Sequence, residues 1–247
     1  MINALILIAL IFVFVQYDIL LRLGRVLSRE APMAYSELIQ RRAVEHIFTL
    51  LKSYRGFRLE VDDRVGEAFP ERFLLVANHQ SLADIPVLWQ MLPDKHLRFV
   101  AKKELGGGVP LVSHLLRFQG HALIKRRGDP TQAMRALMRF ARRCKAQGFC
   151  PVIFPEGTRT RTGELGTFHT GGLRRLLSVE SLPIVVVALE GGFRIRSLKS
   201  VIQSLKGTRY QARIVAVLPA PQGKAEILES IERSRSLIEA ALAEMRA

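Results

Sequence analysis

The sequence predicts an α/β fold: a single domain with a mainly parallel central sheet flanked by helices, plus an N-terminal hydrophobic membrane-anchoring helix. Three observations predict it. Short runs rich in Val, Ile, Leu and Phe alternate with longer stretches of helical period. The connections are brief and most of the runs are strongly apolar, as strands covered on both faces are. Ahead of them stands an apolar segment, Met1 to Val15, interrupted only by Asn3.

Composition sets the limits. With 247 residues, 49% of them hydrophobic, the chain can bury a large core, which excludes disorder for most of it. Lys and Arg number 37 against 22 Asp and Glu, a net charge of +15. That excess favours a polyanionic partner: nucleic acid, an anionic membrane surface or a phosphate-bearing substrate. The two cysteines, Cys144 and Cys150, exclude a disulfide framework and a four-cysteine zinc site. They read as buried small apolar side chains in a reducing compartment.

After Val15 come Gln16, Tyr17 and Asp18, then Ile19, Leu20, Leu21 and Leu23. No Lys or Arg precedes the apolar run and no small-residue cleavage site follows it, so it does not read as a signal peptide. A spanning helix needs about 20 apolar residues; the run reaches that only by continuing past the polar break. An interfacial anchor is the other reading. Arg22, Arg25 and Arg29 fall roughly on one helical face, suited to phospholipid headgroups on the cytoplasmic side. The expected location is therefore the cytoplasmic face of the inner (plasma) membrane, with membrane phospholipids as partners.

Glu30-Ala31-Pro32 breaks the pattern and divides an anchor, residues 1–30, from the domain, residues 31–247. Ser36 is expected to cap a helix carrying Leu38, Ala43, Ile47, Leu50 and Leu51, stopped by Gly56. Strands are expected at 58–61, 73–77, 97–101, 122–124, 149–154, 184–189 and 212–218. Helices are expected at 85–92, 111–118, 131–147 and 172–178, and from Lys224 to Arg246. In such sheets ligands gather beyond the carboxyl ends of strands, so motifs placed there carry the functional argument.

The first is 77-ANHQSLADIP-86. His79 and Asp84 are five apart, about 140° of rotation on one ideal helix, and would not share a face. They converge only if His79 lies in the turn before a helix whose first turn holds Asp84. Ser81 is the expected N-cap, and Pro86 is tolerable near a helix start. Asp84 would then fix the tautomer of His79 and leave the other ring nitrogen as a general base; a plain capping turn is the competing reading. The second motif is 154-FPEGTRT-160. Gly157 allows a tight turn, and Arg159 offers a planar fork for phosphate, with Arg161 nearby. The third, 120-GHALIKRRG-128, ends in Lys125, Arg126 and Arg127, a phosphate site or a solvated basic face.

In order, NHQSLAD, FVAKKEL, GHALIKR, FPEGTRT and LPIVVVAL resemble the glycerophospholipid acyltransferase family, most nearly the bacterial 1-acyl-sn-glycerol-3-phosphate (lysophosphatidate) acyltransferases. The likeness covers about Phe73 to Glu190. It implies that His79 and Asp84 form the catalytic dyad and that Arg126, Glu156, Gly157 and Arg159 bind the acceptor's glycerol phosphate. It also implies transfer of a fatty acyl group from acyl-CoA or acyl-carrier protein, as co-substrate, to the free hydroxyl of a lysophospholipid, giving phosphatidate. Three positions depart from the family pattern. Lys125 stands for an acidic residue, Val186 for a second proline, and His169 for a more usual lysine.

No resident cofactor and no metal are expected. His46, His96, His114, His121 and His169 show no H-E-x-x-H or H-x-x-x-H pairing. There is no G-x-S-x-G nucleophile elbow, which agrees with direct attack by the acceptor hydroxyl. The alternatives are an acyltransferase for another lysolipid acceptor, and a non-catalytic basic protein bound to membrane or nucleic acid. Nucleic acid is not expected as a partner, because aromatic residues are few at 7% and no recognition motif is present.

Overall fold

The apolar runs become strands and the amphipathic stretches become helices. The computed structural model describes residues 2–27, 32–54, 56–66, 69–125 and 129–247. In chain order these form α1 (Ile2–Leu27), α2 (Pro32–Ser53), β1 (Phe57–Asp63), β2 (Leu74–Ala77), α3 (Asp84–Met91), β3 (Leu97–Lys102), α4 (Val112–Phe118) and β4 (Ala122–Ile124). There follow α5 (Pro130–Gln147), β5 (Cys150–Ile153), α6 (Thr170–Val179), β6 (Ile184–Glu190), α7 (Leu198–Ser204), β7 (Thr208–Leu218) and α8 (Lys224–Arg246).

The strands make one seven-stranded sheet in the order β1-β7-β6-β2-β5-β3-β4. All neighbouring strands are parallel except β6 and β7, which are antiparallel. Side chains alternate across the sheet. Leu75, Ala77, Val152, Val185 and Val187 face one layer, where Val44, Phe48, Val87 and Leu88 of α2 and α3 cover them. Leu74, Val76, Ile184, Val186 and Ala188 face the other, under α5, α6 and α8. Every residue of β6 is buried, which explains why its sequence lacks polar alternation.

Some elements are coded locally. Asp129 caps α5 by accepting from the Thr131 amide at 2.8 Å, Pro130 opens the helix, and Gly148 closes it in the left-handed region. Elsewhere the structure corrects the sequence reading. α2 starts at Pro32, and Ser36 lies inside it, buried, with Oγ donating to the Met33 carbonyl. Proline at the first helical position, whose amide needs no partner, begins the helix instead. α7 was not expected: it is short and polar, and rests on a Ser197–Ser200 capping box.

The polar break in the apolar segment does not interrupt α1. Tyr17, Asp18 and Leu21 face the body of the protein and are buried. The Tyr17 hydroxyl lies 2.8 Å from His46 Nδ1 on α2, and Asp18 Oδ1 accepts from the Leu111 amide at 2.7 Å and faces His114 Nδ1 at 2.7 Å. Ile8, Phe12, Ile19 and Leu23 stay exposed along the other side. Two of the three arginines expected at headgroups have internal partners. Arg22 pairs with Asp18 at 2.9 Å while remaining largely exposed, and the Arg25 guanidinium sits 4.1 Å from the Phe118 ring centroid. Arg29 lies outside the described residues.

Candidate active site

β2 delivers the first motif to the carboxyl edge of the sheet. Asn78 clips the emerging chain to β6: its Nδ2 donates to the Leu189 carbonyl and its Oδ1 accepts from the Leu189 amide, both at 2.8 Å. The next residue is His79, in the turn before α3, and Asp84 is the first residue of that helix. His79 Nδ1 and Asp84 Oδ2 are 2.6 Å apart. The five-residue spacing therefore converges through a turn.

Asp84 is completely buried and surrounded by donors. Oδ2 also accepts from the amides of Gln80 at 2.8 Å and Ser81 at 3.0 Å. Oδ1 accepts from the Ser81 amide at 2.9 Å and from the hydroxyl of Tyr210, on β7, at 2.6 Å. Such a carboxylate is an acceptor only, so Nδ1 of His79 must carry the proton between them. The His79 side chain keeps 10% of its surface exposed, against none for Asp84. Its ring stacks on Phe154 at 4.2 Å, and no described residue hydrogen-bonds Nε2. The ring is held in place with one nitrogen left to work.

The local capping differs from expectation. Ala83 occupies the N-cap of α3 with no side-chain cap, and Ser81 acts from two residues upstream, its Oγ accepting from the Ala83 amide at 3.2 Å. The Gln80 and Ser81 amides both donate to Asp84.

The second motif follows β5 and folds against the first. Glu156 is buried, with Oε1 accepting from the His79 amide at 2.6 Å and Oε2 from the Gly166 amide at 2.8 Å. The Thr160 amide donates to the His79 carbonyl at 2.9 Å. Burial pushes the Glu156 pKa up, and the two amides partly offset it. Both carboxylate oxygens thus accept from backbone amides, and Glu156 ties the His79 turn to its own loop. A side chain on Gly166 would meet Glu156 Oε2 at 2.8 Å, which accounts for glycine there. Gly157 is exposed and takes φ +63°, a left-handed turn. Arg159 is half-buried, with one guanidinium nitrogen on the Arg196 carbonyl at 2.5 Å, and Arg161 is exposed. Arg126 lies outside the described residues; Lys125, just before it, is exposed.

Sequence reasoning missed Tyr210, Asn78, Gly166 and the Phe154 platform. Asn78 and Phe154 lie within the motifs, whereas Tyr210 and Gly166 reach the site through tertiary folding. Among the described residues no cluster of His, Cys, Asp and Glu could hold a metal ion.

A family model described as Acyltransferase matches residues 60–190, over half of the chain. A Cocos nucifera protein named 1-acyl-sn-glycerol-3-phosphate acyltransferase is 35% identical over 120 residues, 49% of this chain and 38% of that protein. A Helicobacter pylori protein of the same name is 36% identical over 124 residues, 50% and 48% of the two chains. The matched stretch spans less than half the length of these relatives. In structure the chain resembles the 1-acyl-sn-glycerophosphate (LPA) acyltransferase PlsC of Thermotoga maritima, with a TM-score of 0.71 at 20% identity, covering 99% of this chain and 97% of that one. The last likeness speaks for the fold. With the matched stretch holding both the His79–Asp84 turn and the Glu156–Arg159 loop, the chain belongs to the acyltransferase family.

Proposed function

We propose that the protein transfers a fatty acyl group from acyl-CoA or acyl-carrier protein to the free hydroxyl of a lysophospholipid, with 1-acyl-sn-glycerol-3-phosphate as acceptor and phosphatidate as product. The observation that carries this is the 2.6 Å contact between His79 Nδ1 and a sealed Asp84, with Nε2 unengaged by any described residue. His79 Nε2 takes the acceptor's hydroxyl proton as the oxygen attacks the thioester carbonyl. The tetrahedral intermediate collapses, the carbon–sulfur bond breaks, and the imidazolium returns the proton to the leaving thiolate. Asp84 stays ionised and stabilises the imidazolium between the two transfers. No acyl-enzyme and no resident cofactor enter this scheme.

Arg159 and Gly157 form the described part of the acceptor's phosphate site in this proposal, Arg126 joins them by resemblance, and Glu156 contributes by holding the loop. Arg159 has further donors beyond the one on the Arg196 carbonyl, and a planar fork suits a phosphate monoester.

α1 is the membrane anchor of the proposal, lying along one leaflet on the cytoplasmic side. Its 26 residues have an 18-residue window of mean hydropathy 2.6, and only 17% of that window is buried. The exposed stripe runs the full length of the helix, while Tyr17 and Asp18 tie the opposite side to the body. A groove of about 630 Å³ between α1 and α2, lined by Leu5, Ile8, Phe12, Val13, His46 and Leu50, adds apolar surface to this side and is separate from the catalytic loops.

The test incubates the purified protein, in detergent or vesicles, with labelled acyl-CoA or acyl-carrier protein and a panel of lysolipids. Labelled phosphatidate from lysophosphatidate is expected. Transfer to none of the acceptors would overturn the activity, and preference for a different lysolipid would overturn the acceptor.

A further inference from the structure

We infer that Tyr210 is a positioning residue for acyl transfer, its hydroxyl holding the Asp84 carboxylate in the orientation that faces His79. The inference rests on His79 and Asp84 being the base and its orienting acid. Tyr210 belongs to β7, outside the stretch matched by the family model, and no motif marks it. It has no exposed surface, and its hydroxyl lies 2.6 Å from Asp84 Oδ1. On the other side of the same carboxylate, Oδ2 lies 2.6 Å from His79 Nδ1. The three side chains form one line of hydrogen bonds, drawn from β7, the start of α3 and the end of β2.

Space filling does not account for the hydroxyl. A phenylalanine would occupy the same volume without burying a polar group, which is costly unless bonded. Room is made for the ring by glycine: a side chain on Gly192 would sit 2.7 Å from Tyr210 Cε2, and one on Gly191 2.0 Å from the Arg209 carbonyl oxygen. Burial and the charge of Asp84 push the Tyr210 pKa well above its ordinary value, so the phenol stays a donor at any working pH. With Tyr210 and the Ser81 amide on Oδ1, Oδ2 is left to the Gln80 and Ser81 amides and to the imidazole. Without Tyr210, the Ser81 amide alone holds Oδ1. The other charged groups facing this line are Glu156, on the His79 amide, and Glu190, which Gln80 and Arg246 contact.

Tyr210→Phe tests it, with kcat, both KM values and the pH profile of kcat/KM as readouts, and a thermal melt to establish folding. Loss of a hydrogen bond to a charged acceptor is expected to lower kcat by about tenfold or more, with both KM values changed by less than about twofold. Asp84, with one donor fewer, attracts the imidazolium proton more strongly, so the acidic limb moves to higher pH. Difluorotyrosine at position 210, nearly the same shape but a stronger donor, is expected to move that limb to lower pH. In an Asp84→Asn background, Tyr210→Phe is expected to cost less than about twofold, because its effect passes through the carboxylate. An unchanged kcat and limb, or an equal loss in the Asp84→Asn background, would overturn the inference. If His79→Ala is dead while Tyr210→Phe behaves as wild type, only this inference fails; an active His79→Ala overturns the base reading beneath it.

Discussion

Two buried histidines occupy the same stretch of core, and only one is arranged to react. His79 stacks on Phe154, Phe154 stacks on Phe99 at 6.3 Å, and Phe99 stacks on His121 at 5.7 Å. At one end of this row, His79 has a carboxylate on one nitrogen and no described partner on the other. At the other end, both nitrogens of His121 are engaged: Nδ1 accepts from the Phe99 amide at 2.8 Å, and Nε2 faces Gln119 Oε1 at 3.2 Å. Among the described residues no carboxylate partners it, and burial, reinforced by the Arg98 charge, drives its pKa down to about 3. The neutral imidazole at position 121 is a structural cross-link. Placement beside an acid, with one nitrogen spare, separates a base from a core residue of the same type.

The largest break in that comparison is His79→Ala. Acyl transfer is expected to fall about 10²–10⁴-fold in a protein that still folds, read as product formed per enzyme. Glu156→Gln comes next. Glutamine accepts from one of the two amides but presents its own donors to the other, costing about 1–3 kcal/mol. A lower thermal midpoint and a reduced kcat are expected together, since the His79 backbone loses its anchor. Arg159→Ala should raise the acceptor KM by about tenfold with kcat nearly kept, if its contact is equal in ground and transition states. An unchanged KM would remove Arg159 from the site.

His121→Asn sharpens the comparison from the other side. Asparagine can still accept from the Phe99 amide, so kcat is expected to change little. The readout is stability against pH. The folded pKa of His121 lies below the unfolded value near 6.5, so the unfolded chain binds the extra proton in that window. Its contribution is complete above pH 6.5 and is lost as pH falls toward 3, at up to about 1.4 kcal/mol per pH unit. Denaturant titrations between pH 4 and 6 should show a shallower loss in the variant. An identical slope would place a charged imidazole in the native core.

Helix α5 was legible to within a residue, because Asp129, Pro130 and Gly148 state its ends in local chemistry. The His79–Asp84 turn was legible as a motif for the same reason, its members lying within one short segment. The antiparallel placement of β7 was not legible, since an apolar run does not say which way it pairs. The backbone partners of Glu156 were hidden too: nothing in its own loop says that its two oxygens accept from the amides of Gly166 and, far back in the chain, His79.

From its residues alone, the chain determined an α/β sheet with a His–Asp turn at a strand end and an apolar N-terminal helix. Those features arise from periodicity and from groups a few bonds apart. Only the tertiary structure decided that a tyrosine from β7 completes the Asp84 shell, that two amides occupy Glu156, and that the polar side of α1 faces inward. Hydrogen bonds between residues far apart in the chain depend on which strands and helices lie side by side, and burial of the whole sheet settles that order.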